Sequence, residues 1–406
     1  MPSNLKIAIL YSHLREIGGA ERIVEKQADL LRELGHETKC YFAYINEQKL
    51  RRENRPDYNL SYLSSLPIPN IETLRIASSI PFAPLISRVF KNTDLLICHG
   101  YGPASWIGYI TNLIYGTDYI NYVHSIPRLL YLEPEERLLW KQDPTRKKIF
   151  ALGQLFQPFL KKIDKLGVVN SRNILANSQY TAKRIREIYG CKASVCYPFV
   201  DLDLFKPIDI NAVTNETCRK YNFSKPLLIS TGRIIPLRRI AWLIDVMKNI
   251  TKTFPSATLA ITGEISQGNI NYVREIEKKA LSFGVERNVK FLGFVPDTEL
   301  VKIYNAADAY VHICPHEAFG LSPVEAMACG TPAVVWDDGA GPSETVIDGK
   351  NGLKAKPYEI EDFATKTMVA INMDRTKVCD FAPNFVRENF SPEKHVEMLE
   401  KIFRNR

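Results

Sequence analysis

Short apolar runs recur along this chain, each followed by a loop and then by a helical or irregular stretch. Lys6 to Tyr11, Thr38 to Ala43, Asp94 to Cys98, Tyr119 to Val123, Asn173 to Ala176 and Val195 to Tyr197 lie in the first half. Leu227 to Thr231, Leu259 to Thr262, Val289 to Gly293, Tyr310 to Cys314 and Pro332 to Val335 lie in the second. Such runs read as buried parallel strands. Strands alternating with helices make an α/β domain whose sheet is covered on both faces. At 406 residues the chain is too long for one ordinary domain, and two of about 200 residues each are expected. The reading places them at 1–198 and 224–390, with a linker at 199–223 and a last helix at 391–406. Residues 51–92, rich in Pro, Ser and Asn, resolve into no element.

Composition narrows the class. Hydrophobic residues make up 45% and charged residues 24%, as in globular proteins. No apolar run approaches the roughly 20 residues that span a bilayer. The N-terminus enters a strand without a signal-peptide core, so the expected location is cytoplasmic. Eight cysteines are scattered, several in apolar runs, with no Cys-x-x-Cys. They read as reduced core thiols rather than a zinc site. Charge is lopsided: residues 1–200 carry 27 Lys and Arg against 18 Asp and Glu. The excess gathers between Arg146 and Lys192, where Lys161, Lys162 and Lys165 stand among Phe156 and Phe159. This is either a solvated helix face or a surface for anionic headgroups or a lipid diphosphate. Nucleic acid is disfavoured, because no recognised reading module accompanies the charge.

The chemistry centres on His312 to Pro357. Ser322-Pro323-Val324-Glu325 reads as a helix start, with Ser322 as N-cap, Pro323 at the first position and Glu325 as a capping-box carboxylate. Gly330 ends that helix. A helix N-terminus behind a loop bearing Glu317 and Gly320 offers N–H groups and a positive dipole end to phosphate. Carboxylates beside a phosphate must do something else, and sugar hydroxyls are donors that they accept. Elsewhere, Gly18-Gly19 sits at a strand–loop–helix junction where backbone can approach an anion. It is not a G-x-G-x-x-G, which argues against a dinucleotide. His124 lies just past the strand at Tyr119, where ligands of doubly wound sheets are bound. It reads otherwise as a structural loop histidine. Arg233 and Arg238 follow the strand Leu227 to Thr231, and their forks suit a diphosphate.

Glu317, seven intervening residues and Glu325, with Phe319-Gly320-Leu321 and Pro323 between them, resemble the glutamate–seven–glutamate motif of retaining glycosyltransferases of group 1 (family 4). That resemblance implies the GT-B fold, two Rossmann-like doubly wound α/β domains facing a central cleft, with the last helix crossing back to the first domain. It implies a nucleotide-diphosphate sugar as donor. Arg233, Arg238, Phe319, Gly320, Leu321 and Ser322 would border it, with Gly18 and Gly19 from the first domain. Glu325 would hold the ribose, Phe294 and Val295 would lie near the base, and Glu317 and His124 would lie beside the sugar. Val123-His124-Ser125-Ile126-Pro127-Arg128 is similar to the family's His-x-x-Pro-Arg element, which makes Arg128 and Tyr131 acceptor-side candidates. No metal is implied, since arginines and the helix dipole replace it. The acceptor is a glycan or lipid-linked molecule, and GDP-mannose is the first guess for the donor. UDP-sugar transfer, nucleotide-sugar epimerisation and a non-catalytic scaffold are the alternatives. One departure stands out: Arg239 occupies a place where the family usually has glycine, which leaves the helix start there in doubt.

Overall fold

The computed structural model describes residues 4–14, 19–46, 59–100, 102–127, 130–131, 156–265 and 268–404. The chain forms two compact units, Met1–Pro198 together with His395–Arg406, and Phe199–Lys394. Among the described residues the first carries seven parallel strands: β1 (Lys6–Leu14), β2 (Glu37–Ile45), β3 (Asn59–Ser61), β4 (Leu95–His99), β5 (Asp118–Val123), β6 (Asn173–Ala176) and β7 (Ser194–Val195), in spatial order β3-β2-β1-β4-β5-β6-β7. Every residue of β4 is buried, as a parallel strand covered on both faces requires. The helix Gly19–Glu33 lays Ile23, Val24, Ala28 and Leu31 against this sheet and buries Gln27 with them.

The second unit holds six parallel strands: β8 (Leu227–Thr231), β9 (Thr258–Thr262), β10 (Val289–Gly293), β11 (Ala309–Val311), β12 (Ala333–Trp336) and β13 (Gly352–Ala355), in order β10-β9-β8-β11-β12-β13. Its core joins Leu228, Ile244, Met247, Ile261, Val311, Val334, Trp336 and Phe363. In both sheets strand order reverses once, between β1 and β4 and between β8 and β11. Loops leaving the carboxyl ends of strands flanking such a reversal diverge and leave a crevice that binds ligands. In the first unit His99 ends β4 beside the reversal and His124 follows the next strand, β5; in the second, the loops after β8 and β11 carry Gly232, Arg238 and Glu317.

Two boundaries differ from expectation. The stretch 199–223, read as a linker, belongs to the second unit and contains a helix, Ile210–Tyr221. Val213 and Phe223 are buried, Ile208 N donates to Asn305 Oδ1 at 3.0 Å, and Lys220 Nζ meets Glu299 Oε2 at 2.6 Å. Apolar burial and these polar ties hold it against the helix Asp297–Ala306. The last helix is Pro392–Arg404, and the chain joins the first unit from His395 onward. There Leu399, Ile402 and Phe403 are buried, the last ring lying 6.2 Å from that of His36.

Candidate functional site

The second unit builds its cluster from three backbone approaches. Beyond β8 the chain turns at Gly232, with φ +140. A Cβ there would lie 2.7 Å from Arg238 Nη1, so the absent side chain makes room for the guanidinium. At the end of β9, a Cβ on Gly263 would lie 2.1 Å from the Gly232 carbonyl oxygen. Arg238 then reaches Glu317, with Nη2 3.0 Å from Oε2 and side chains 20% and 18% exposed. Glu317's negative charge raises the Arg238 pKa. Gly341 fixes the loop under Glu317: its N–H donates to the Glu317 carbonyl at 2.9 Å.

The helix that follows, Leu321–Ala328, starts differently from the sequence reading. Gly320 is the N-cap, with φ +80, and Ser322 is already inside the first turn. Its Oγ donates to the Thr231 carbonyl at 3.5 Å and caps nothing. Pro323 falls at the third helical position, two later than expected, still within the turn whose N–H groups lack helical acceptors. Glu325 is no capping-box residue either. It is buried, 6% exposed, and accepts a hydrogen bond from the Tyr304 hydroxyl at 3.3 Å. Gly320's left-handed backbone moves the start two residues toward the N-terminus, so neither side chain can reach back. With no side-chain cap, the first-turn N–H groups are available to an anion. Gly330, with φ +75, follows the C-cap as expected.

The other expected residues divide. Arg233 is exposed and makes no ion pair among the described residues, whereas Arg238 and Glu317 pair with each other. Phe294 is 67% exposed after β10, whereas Val295 is buried. Phe319 is buried and packs its ring 5.5 Å from that of Phe390. Leu321 is half-buried. Arg239 takes φ +54, a conformation that glycine enters freely, and the helix begins only at Trp242. Its guanidinium lies 5.1 Å from the Trp242 ring centre. Gly18 and Arg128 lie outside the described residues. Gly19 is the first residue of its helix. Glu21, in the first turn, lies 3.6 Å from His13 Nε2, so a carboxylate already sits near the N–H groups expected to border a diphosphate.

Sequence reasoning missed several neighbours. Tyr310 and Tyr304 reach Thr231 and Glu325 from beneath. His312 is buried, its Nε2 has no partner among the described residues, and burial lowers its pKa to about 4. His312, Cys314 and Glu317 place ligand-capable atoms within 4.8 Å of one another, a set that could hold a metal ion. Arg238 opposes that, because it places a fixed positive charge on the same carboxylate. The alternation of polar groups along His312-Ile-Cys314 was visible, but nothing in the sequence says which of them point together.

In the first unit His124 follows β5, its carbonyl accepting from Asn177 Nδ2 at 2.8 Å. Its ring lies against the buried His99, Nε2 to Nδ1 at 2.9 Å. Burial lowers the pKa of His99 well below its usual value, that of His124 to about 3 and that of His395 to about 4. These rings are neutral in the fold, whereas in an unfolded chain they gain protons below about pH 6.5. The unfolded state then binds more protons, so stability falls as pH drops from about 6.5 toward 4. Asp164 works in reverse, its carboxyl pushed up to about 6 chiefly by burial. Protonated in the fold before the unfolded chain takes its proton, it favours folding as pH falls. Four histidines, counting His312, outweigh one carboxyl. The thermal midpoint is therefore expected to be several degrees lower at pH 5 than at pH 7.5. An equal or higher midpoint at pH 5 would remove the neutral-histidine account.

Comparison with known proteins gives the chain its relatives. The family model described as glycosyl transferases group 1 matches residues 215–379, and that of Glycosyltransferase Family 4 matches residues 17–204. D-inositol 3-phosphate glycosyltransferase 2 of Catenulispora acidiphila is 26% identical over 72% of this chain and 66% of its own length. The GDP-mannose-dependent alpha-(1-6)-phosphatidylinositol monomannoside mannosyltransferase of Mycolicibacterium smegmatis is 28% identical over 46% of this chain and 50% of its own. The chain thus spans between half and two thirds of the length of these relatives. Among solved structures, HepE of Anabaena in complex with UDP has a TM-score of 0.78 at 20% identity, covering 99% of this chain and 100% of its own. Sucrose-phosphate synthase from Thermosynechococcus elongatus has 0.78 at 19%, covering 99% and 98%.

Proposed function

Because this chain belongs to the group 1 glycosyltransferases and has the GT-B fold, we propose that it moves a sugar, with retention, from a nucleotide diphosphate to a glycan or lipid-linked acceptor. The observation that carries this is the Arg238–Glu317 pair beside an uncapped helix start. A diphosphate would compete with Glu317 for the Arg238 fork, as phosphate oxygens match it well. Glu317, released, would accept a hydroxyl of the sugar. Glu325 would take the ribose hydroxyls, with the Tyr304 hydroxyl holding one oxygen in place. Negative charge grows on the diphosphate as the glycosidic bond breaks. Arg238 and the first-turn N–H groups of Leu321–Ala328 would stabilise it more in the transition state than in the ground state, which raises the rate. A donor phosphate oxygen would take the acceptor's proton on the same face, and His124 would stand beside the sugar. No metal is needed in this scheme.

GDP-mannose is the first donor to test. Support comes from the mannosyltransferase named above and from the mannosylfructose-phosphate synthase of Agrobacterium fabrum, 28% identical over 50% of this chain. UDP-linked sugars are the second reading, favoured by the UDP-bound HepE structure. A lipid-linked acceptor is supported by the helix Gln157–Val169, which exposes Lys162 and Lys165 beside Phe159 at 60%. Such a surface suits peripheral contact with anionic lipid on the cytoplasmic side. Among the described residues no helix is long and apolar enough to cross a membrane.

The test is a thermal-shift panel of GDP, UDP, ADP and TDP and their sugars in EDTA. A ligand at a hundred times its Kd stabilises by about 2.7 kcal/mol. The expected result is a rise with the GDP series and, with labelled GDP-mannose, turnover in EDTA. A rise with UDP alone would move the donor to the second reading. No rise and no turnover with any donor would leave a non-catalytic scaffold.

A further inference from the structure

Behind His124 runs a chain of polar side chains that the donor chemistry does not use. It begins at His395 in the helix Pro392–Arg404, passes through Gln27 in the helix Gly19–Glu33 and His99 at the end of β4, and ends at His124 after β5. Gln27, His99 and His395 are 0%, 1% and 3% exposed.

One fixed acceptor sets the direction of every bond. His395 Nδ1 lies 2.8 Å from the Tyr197 carbonyl oxygen, which can only accept, so Nδ1 carries the hydrogen. Cys196 Sγ, 3.4 Å from the same nitrogen, is a weak partner and does not alter this. In a neutral ring Nε2 is then bare, and it accepts from Gln27 Nε2 at 2.8 Å. That orients the amide, and Gln27 Oε1 faces His99 Nε2 at 2.7 Å, so His99 Nε2 donates. His99 Nδ1 is left to accept, and His124 Nε2 donates to it at 2.9 Å. His124 is thereby held as the Nε2–H tautomer. Its Nδ1 keeps a lone pair and has no hydrogen-bond partner among the described residues. Burial keeps the three rings neutral, and the chain needs this, since a doubly protonated ring would face a donor with a donor.

We propose that Gln27, His99 and His395 are positioning residues that fix this tautomer, so that His124 meets a substrate hydroxyl as a hydrogen-bond acceptor at Nδ1. The other tautomer would present N–H to a hydroxyl that must then turn its own hydrogen elsewhere. The tautomer assignment rests on geometry alone. That the hydroxyl belongs to the donor sugar rests on the function proposed above.

Long-range proton–nitrogen correlation on full-length protein labelled with nitrogen-15 histidine reads the tautomers directly, with His124→Asn identifying the ring. The expected wild-type result is a protonated Nε2 and bare Nδ1 on His124. Gln27→Met keeps side-chain length but removes both bonds, and should give a tautomer mixture at His99 and His124. Transfer should then slow about ten- to a hundredfold, by analogy with the outer partners that orient metal-bound histidines. Gln27→Glu still accepts from His99 Nε2–H, and should recover the His124 tautomer and activity relative to Gln27→Met. A wild-type His124 carrying its hydrogen on Nδ1 would overturn the proposal, and this readout does not depend on Gln27→Met folding. So would an unchanged tautomer in folded Gln27→Met. Tautomers that shift while the transfer rate holds would leave the chain standing and overturn the placement of His124 at the sugar.

Discussion

Replacing Arg238 by alanine is expected to lower kcat by about 10²–10³, the usual effect of removing one fixed donor from a site where negative charge develops. Arg238 is the cation the fold has built around. Gly232 lacks a side chain where Nη1 passes, and Glu317 accepts from Nη2 at 3.0 Å. If its work is done in the transition state, kcat and kcat/KM fall together. If it only holds the donor, KM rises and kcat survives. Arg238→Lys keeps the charge but cannot span both Gly232 and Glu317, so an intermediate loss is expected. Removing the guanidinium also leaves the Glu317 carboxylate, 18% exposed, without its cation. Folded fraction must therefore be measured alongside the rate. Arg233→Ala gives the contrast: Arg233 is exposed and takes no part in the Arg238–Glu317 ion pair, and its loss should weaken donor binding more than it slows the chemical step. Full activity in Arg238→Ala would end the assignment of charge stabilisation to this residue.

The strands were legible because parallel strands buried on both faces are written as unbroken apolar runs. Leu227–Thr231 and Asn173–Ala176 came out with their observed ends. What failed was local geometry that a neighbour decides. Ser322-Pro323-Val324-Glu325 has the composition of a capping box, yet Gly320's backbone starts the helix two residues early and Tyr304 claims the glutamate. The stretch 199–223 looked like a linker because its helix has few apolar residues of its own. It is held by Asn305 and Glu299, which lie far along the chain. His124 was found by the rule that ligands gather past strand ends. His99 ends β4, beside the reversal of strand order, and the same rule applied there would have found it. Gln27 and His395 carry no such signal, since only the fold brings positions 368 residues apart into contact.

Gly341→Ala is expected to disable the second unit's site through the backbone. An alanine Cβ there would lie 2.3 Å from the Ala318 carbonyl oxygen and from Phe319 Cα. Neither is the end of a flexible side chain, so the Glu317–Gly320 loop itself must move. Overpacking of this kind costs about 3 kcal/mol or more when backbone has to shift, which lowers the midpoint of a unit of this size by roughly 6–12 °C. The moving loop carries Glu317, and Gly341 N donates to the Glu317 carbonyl, so the pair with Arg238 should loosen as well. Nucleotide-sugar affinity should fall with stability. Gly284→Ala separates space from conformation. Gly284 has φ +69, but a Cβ there would meet nothing within 4 Å, so its cost is backbone strain alone, about 1–2 kcal/mol. It lies on a turn after the helix Ile270–Ser282, away from the pair, and should leave donor affinity unchanged. If Gly341→Ala matches Gly284→Ala in both midpoint and affinity, the close approach at Gly341 does not hold the Glu317 loop. The Arg238–Glu317 geometry must then be maintained from the Arg238 side, where Gly232 and Gly263 are pressed together.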